Sequence, residues 1–552
     1  MSLILEPIEE VPKMTAETAR AAFPNGSLPM KMRDQLGIFY KDEQFAELFS
    51  HTGQPALAAW RLALVTILQF IENLTDRQAA DAVRRNIDWK YLLGLELQDS
   101  GFHHSVLSEF RGRLVAGGKE TLLLDKMLAH FKEEGMLKVR GRQRSDSTHV
   151  LGAVRALSRL VCVGETLRHA LNTMAATAPA WLLEHSDPEW VDHYSKRVDE
   201  YRLPKSKVKR EAYAHKVGAD GLALLNAVYD AAAPPWLRET AAVEILRQVW
   251  LQNYTWAEDG TLRWRKGKEQ PPSALRIHSP YDVEVRYSKK RSTTWVGYKV
   301  HLTESHDEEL PHLITHVETT PATEADCRVT DEIHQALEEK QLLPERHSVD
   351  SGYIDAELLV TSQQEYGVDL FGPTRGDFTW QAQQNEGFAT QDFTIDWDNQ
   401  QVQCPRGHTS VSWRDGMDNR GNPVVRIKFS TNQCGPCPVN KQCTRSDPPR
   451  RPIVIRPEAQ FKALQAARQR EKTDAFAQEY GQRAGVEGTM SQSIRVFGLR
   501  RARYIGIAKT HLQHVLIATA INVVRALRWL EQVPLAQTRH SHFARLYATA
   551  PV

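Results

Sequence analysis

Apolar positions in the first third of the chain recur at helical spacing. In "PALAAWRLALVTILQFIENL", Leu57, Trp60, Leu64, Ile67 and Ile71 share one face, which predicts an amphipathic helix. The next stretch, "TDRQAADAVRRNIDWKYLLG", opens with Thr75 and carries Gln78 three residues on, a capping-box start. Arg84 and Arg85 stand near its end, where the helix dipole favours cations. A third helix is predicted in "HHSVLSEFRGRLVAGG", with Arg111 and Arg113, stopped by a glycine pair. Short helices with a basic edge suit either a helix-turn-helix-like DNA-binding unit or a plain helical bundle. The pattern alone does not choose.

Near residue 137 the period changes. "LKVRGRQRSDSTHVLGAV" is β-branched and alternating, predicting a strand that carries Asp146. From about 153 to 275 the pattern is helical again, with the basic run "RLPKSKVKREAYAHK" inside it. Strands return in "TTWVGYKVHLTES" and "PHLITHVETT", and a short run, "RHSVD", ends in Asp350. Residues 376–475 are rich in turn residues, tryptophan and cysteine. The last predicted helix runs from Thr510 to about Glu531, where Leu516, Ala520, Val523, Leu527 and Leu530 form a stripe fit for a core or a dimer seam.

At 552 residues the chain exceeds what one core organises, so several domains are expected. A hydrophobic fraction of 41% with 25% charged residues describes an ordinary globular protein. The net charge of +2 neither requires nor excludes nucleic acid, so any such argument rests on where the charge sits. No apolar run reaches membrane-spanning length, and "MSLILEPIEEVPKMT" has acids in place of a basic leader region. The six cysteines do not suggest a disulfide framework, and a soluble, reducing compartment is expected.

One segment uses charge unusually. "YGQRAGVEGTMSQSIRVFGLRRARYIGIAKTHLQ", from Tyr480, holds five arginines and a lysine around one acid, Glu487. A lone carboxylate among cations is a salt-bridge partner or a metal ligand. On a helix, Tyr480, Arg483 and Glu487 at i, i+3 and i+7 share a face. Gly485 and Gly488 weaken the helix but permit close backbone approach. Asp146 and Asp350 each follow an extended run and precede a small residue. Acids at adjacent strand ends repel, and a divalent cation relieves that; three acids could hold two ions ~3.5–4 Å apart for displacement at phosphorus. The plainer reading is turn and cap residues.

Cys404, Cys434, Cys437 and Cys443 fall within forty residues, in "CPRGH" and "CGPCPVNKQC". Cys434-x-x-Cys437 has zinc-knuckle spacing, and the four make a tetrahedral set, with His408 an alternative fourth ligand. Such zinc would staple an insertion too small for a good core; idle thiols are the other reading. Cys162 and Cys327 read as ordinary single cysteines.

The chain resembles bacterial insertion-sequence transposases of the DDE class, in the branch with a Tyr-Arg-Glu-Lys signature. The resemblance runs through "NLTDRQAADAVRRNIDWKYLLGL", "HHSVLSEFRGRL", "DSTHV", "GYKVHLTE", "VDSGYID" and the segment from Tyr480. It implies an α/β RNase H-like catalytic core, a mixed sheet flanked by helices, with Asp146, Asp350 and Glu487 as the catalytic, metal-binding acids. Tyr480 and Arg483 match the first two signature letters. The signature lysine is missing: Ile494 stands seven residues past Glu487, with Arg495 next.

The resulting expectation is a helical DNA-binding domain at 1–136 and a core formed by 137–152, 276–375 and 476–535. A helical insertion at 153–275, a cysteine-containing insertion at 376–475 and a tail at 536–552 complete the division. Two Mg²⁺ or Mn²⁺ ions and a structural Zn²⁺ are the expected cofactors. Double-stranded DNA, as terminal inverted repeats and target, is the expected partner, with Tyr480, Arg483, Arg495, Arg500, Arg501 and Arg503 on its phosphates. A homodimer would bring two ends together, in the bacterial cytoplasm at the nucleoid. The rivals are an RNase H-like nuclease without strand transfer and an inactive, element-derived DNA-binding protein.

Overall fold

The computed structural model describes residues 2–5, 7–383, 387–534, 541–543 and 545. Nearly all of the expected tail, 536–552, lies outside the described residues. The chain divides into two compact units: one of residues 1–138, 148–324 and 490–552, the other of 139–147 and 325–489.

In the first unit, strands β2 (Arg286–Lys290), β3 (Thr293–Ser305) and β4 (Ile314–Pro321) are antiparallel. β3 is long because β2 pairs with its first half and β4 with its second. Strand β1 (Arg142–Leu151) pairs with β3, and Gly152 N donates to Val296 O at 3.0 Å just beyond it. A Cβ on Gly297 would strike the Val150 carbonyl, so this crossing needs glycine.

The helix Ile507–Leu530 packs against β4 and against the helix Ala59–Ile71. Both are buried almost all round, as central helices are. That corrects the one-faced helix expected from Leu57: Leu57 precedes the helix and is 44% exposed, while every residue from Ala59 to Phe70 except Arg61 is buried. It also gives the C-terminal stripe its meaning, since Leu516, Ala520, Val523 and Leu527 are core.

Thr75 caps the helix Asp76–Arg85: its hydroxyl accepts from Gln78 N, and the Gln78 side chain accepts from Thr75 N at 2.9 Å. The expected basic edge, however, is turned inward. Arg111 donates to Asp76 at 2.6 Å, and Arg113 lies 4.8 Å over the Phe49 ring. Helices Arg159–Thr177, Lys207–Tyr229 and Ala241–Asn253 share a core of their own around Leu167, Leu224, Leu246 and Trp250. Gly221 lets the Trp250 indole lie directly on the Lys207–Tyr229 backbone.

In the second unit the first half of β1 pairs in parallel with β5 (Arg346–Ser348), which pairs in parallel with β6 (Asp369–Phe371). Parallel neighbours need crossovers, and the helix Ala356–Tyr366 supplies the one from β5 to β6. Buried Val329, Ile333 and Leu337 line the inner face of the helix Asp326–Glu339. The architecture is therefore α/β with both parallel and antiparallel pairing.

Residues 388–461 build a separate patch. Strands Ser412–Met417, Pro423–Lys428 and Pro452–Ile455 form an antiparallel sheet. Phe393, Val402, Val425, Ile427, Phe429, Ile453 and Ile455 make a core beneath it. The expected coreless insertion thus has an apolar core, because each of its strands alternates inward and outward residues.

Candidate active site and cysteine cavity

Parallel pairing decides where the two aspartates fall. The register sets Arg142 opposite Arg346 and Arg144 opposite Ser348; continued by two residues, it brings Asp146 level with Asp350. Asp146 is not at a strand end, as the sequence suggested, but in the middle of β1. The reason is that β1 runs on to pair with β3. Asp350 lies in the turn after β5, where Gly352 N donates to its Oδ1 at 2.7 Å. The turn is held by β6: Val349 N donates to Phe371 O at 2.9 Å, and Gly372 packs so tightly on the Val349 carbonyl that a Cβ would collide with it.

Behind the acids, buried polar groups tie the strands. Ser145 Oγ stands 2.6 Å from His347 Nε2, and His347 Nδ1 stands 2.9 Å from His334 Nε2. Burial pulls the His334 imidazole down to about 4, so this chain is neutral at ordinary pH.

Tyr480 ends the helix Asp474–Gly481, and Arg483 follows in a single 3-10 turn. That helix is anchored through Glu479, which pairs with Arg346; Arg346 also pairs with Asp369 at 2.8 Å. Tyr480 stacks on Phe476 with centroids 5.4 Å apart. Its hydroxyl titrates above the ordinary phenol range, chiefly through burial, with the charges of Asp350 and Asp146 adding to it. Arg483 is buried; its Nη2 lies 3.1 Å from Asp146 Oδ1 and donates to Ser145 O at 3.3 Å.

The next turn is held from β1, where Arg144 Nη1 donates to Gln482 O at 2.6 Å. A Cβ on Gly485 would strike the Arg144 guanidinium, so this is the close approach that glycine permits. No atom crowds Gly488 within 4 Å. Glu487 sits in the first turn of the helix Gly485–Arg495, exposed, four residues after Arg483. The structure thus gathers Asp146, Asp350, Tyr480 and Arg483, with Glu487 one turn beyond Arg483.

A further carboxylate stands here that sequence reasoning passed over. Asp326 opens the helix Asp326–Glu339, and Ser147 Oγ donates to its Oδ1 at 3.4 Å. Under the acids lies Tyr353, fully buried; burial first, then Asp326 and Asp146, push its hydroxyl well above the phenol range. An acid in the first turn of a helix is so common that nothing in the sequence marks Asp326.

The remaining basic candidates lie in the other unit. Arg495 and Arg501 are exposed. Arg500 Nε donates to Thr148 Oγ1 at 2.8 Å. Arg503 serves the fold: it donates to Leu74 O at 3.4 Å and to Asn73, and lies 4.8 Å over the Phe70 ring.

Cys404, Cys434, Cys437 and Cys443 line one small cavity together with His408. Local turns bring them there: Cys404 N donates to His408 O at 2.8 Å, and Cys437 N to Cys434 O at 3.3 Å. Burial raises the Cys443 thiol to about 11; Arg451 opposes that shift and the other three thiols add to it. Cys162 is buried, its thiol raised to about 12 by desolvation, and Cys327 is partly exposed.

The two donor sets differ in kind. Carboxylate oxygens suit Mg²⁺ or Mn²⁺, and four thiols suit Zn²⁺. Among the described residues no group of three or more His, Cys, Asp or Glu is spaced to hold a metal ion as it stands. Mutually repelling carboxylates have no reason to close up until a cation neutralises them.

An α/β fold with paired carboxylates on parallel strands belongs to the enzymes rather than to simple binding modules. Residues 403–527 match the family described as Transposase DDE domain, and residues 20–113 match the one described as Transposase domain (DUF772). These two matches identify the chain as an insertion-sequence transposase of the DDE type. A DDE domain implies an RNase H-like fold, and the mixed, helix-flanked sheet agrees with it. Such transposases generally use divalent metal ions. The first match includes Tyr480, Arg483, Glu487 and the four cysteines, and begins after Asp146 and Asp350. No curated protein and no solved structure gives a match. Among the described residues no helix is long and apolar enough to cross a membrane.

Proposed function

We propose that the chain binds the terminal inverted repeats of an insertion sequence, cuts DNA at the element's ends and joins them to a target. Asp146, Asp350 and Glu487 would hold two Mg²⁺ or Mn²⁺ ions. When bound, such ions activate the attacking oxygen and stabilise the leaving one. The observation that carries this reading is the β1–β5 register, which levels Asp146 with Asp350 beside Arg483.

The chain's own residues have separable tasks. Arg483, held on Asp146 and the Ser145 carbonyl, offsets the negative charge that the acids and a phosphate would share. Tyr480 stays protonated, as its raised pKa requires, and is a hydrogen-bond donor for a phosphate oxygen. Arg495, Arg500 and Arg501 would contact the DNA backbone, whereas the internal bonds of Arg503 make it a brace. The domain reading that goes with this keeps 1–136 for DNA, 137–152, 276–375 and 476–535 for catalysis, and 153–275 and 376–475 as insertions. Two ends joined in one event call for a homodimer, acting in the bacterial cytoplasm at the nucleoid. The cysteine cavity would hold a structural Zn²⁺ that braces residues 388–461.

The test is incubation with supercoiled plasmid carrying the element's ends, in Mg²⁺ or EDTA, beside Asp350→Asn. End cleavage that needs both metal and Asp350, with joined products, is the expected result. Cutting without joining would reduce the protein to a nuclease. End binding with no metal-dependent cutting would leave a DNA-binding protein only.

A further inference from the structure

The turn after β5 leaves a gap that a side chain would fill. A Cβ built on Gly352 would lie 2.8 Å from Asp350 Oδ1 and 3.0 Å from Asp326 Oδ2. Two carboxylate oxygens from different elements therefore face one small space, kept open only because residue 352 is glycine. From the other side, Ser147 joins the same group: its N donates to Asp146 Oδ1 at 2.8 Å and its Oγ to Asp326 Oδ1 at 3.4 Å.

An acid serving only the helix dipole needs no neighbours and does best facing water. Asp326 instead faces two further carboxylates above the buried Tyr353, an arrangement that costs repulsion unless a cation shares it. We propose that Asp326 is a further metal-ligating carboxylate of this centre, sharing with Asp350 one divalent cation seated beside Gly352. The proposal rests on the metal-dependent reading above and enlarges its ligand set from three acids to four. Asp326 then makes that cation less dependent on Glu487, whose carboxylate comes from a separate helix.

The decisive measurement is Mn²⁺ binding to the full chain, followed by the spin-resonance signal of free Mn²⁺ and by the Mn²⁺-induced rise in melting temperature. Four variants are compared with the unaltered protein: Asp326→Asn, Asp326→Glu, Gly352→Ala and Asp350→Asn. Asp326→Asn and Gly352→Ala are each expected to weaken Mn²⁺ binding about tenfold or more, with Asp326→Glu recovering part of it. Melting in EDTA and binding to end DNA should stay unchanged for these variants. Gly352→Ala keeps every acid, so it decides the matter even where Asp326→Asn fails to fold. Unaltered Mn²⁺ affinity in Asp326→Asn and Gly352→Ala, beside a loss in Asp350→Asn, would overturn this inference alone. Unaltered affinity in all variants would remove the metal centre itself, and the proposed chemistry with it.

Discussion

The carboxylate group and the cysteine cavity lie in the same compact unit, yet they are put together by opposite means. The four cysteines are near neighbours in sequence, and one-turn hydrogen bonds such as Cys404 N to His408 O bring them round a shared space. Asp146 and Asp350 are brought level by strand register, and Arg483 reaches Asp146 from a third part of the chain. Local assembly leaves a spacing pattern in the sequence. Assembly by register leaves almost none, since the intervening residues do unrelated work.

The difference can be broken most sharply at Asp146. Asp146→Asn should lower end cleavage by on the order of a thousandfold or more while zinc content, measured by metal analysis, is unchanged. Cys434→Ser should do the reverse: zinc is lost, stability falls by roughly 3 kcal/mol, read by calorimetric melting, and Mn²⁺ binding persists. Gly372→Val should cost about 1–3 kcal/mol, because its side chain meets the Val349 carbonyl. Cleavage would fall with it as the Asp350 turn shifts, and the zinc content would not.

The smallest effect is one of pH. Since burial holds the Cys443 thiol near 11, that thiol is protonated at neutral pH and zinc uptake must expel its proton. Zinc affinity should therefore rise with pH between 6 and 8, about tenfold per unit for each proton released, as titration calorimetry in two buffers would record. A flat profile would mean that the thiols do not take the metal.

What the sequence disclosed follows the same division. The Thr75 and Gln78 cap, the strands "TTWVGYKVHLTES" and "PHLITHVETT" and the cysteine grouping are local patterns, and each appears in the structure where it was read. Asp326 could not be read, because its neighbours Ser147 and Gly352 are remote in sequence and its own surroundings resemble any helix start. Arginines misled for a related reason: Arg111, Arg113 and Arg503 look like a basic surface in sequence, but their partners Asp76, Phe49 and Leu74 are supplied by folding. Charge in a sequence shows that a cation needs a partner, not whether that partner is a phosphate or a carbonyl.

The β1–β5 pairing also sets a timetable. Arg142 must wait for Arg346 before the first parallel pair can form, and Arg144 must wait for the Gln482 carbonyl before the turn bearing Arg483 is pinned. Contacts so remote close late and slowly. A chain growing from its amino terminus completes the helices around Ala59–Ile71 and Asp76–Arg85 long before its acids can be aligned. Any chain that stops before residue 480 would carry Asp146 and Asp350 without Tyr480, Arg483 or Glu487. Such a fragment, if it reached DNA, would occupy an end and leave it uncut, so prematurely terminated chains would act as competitors of the finished protein.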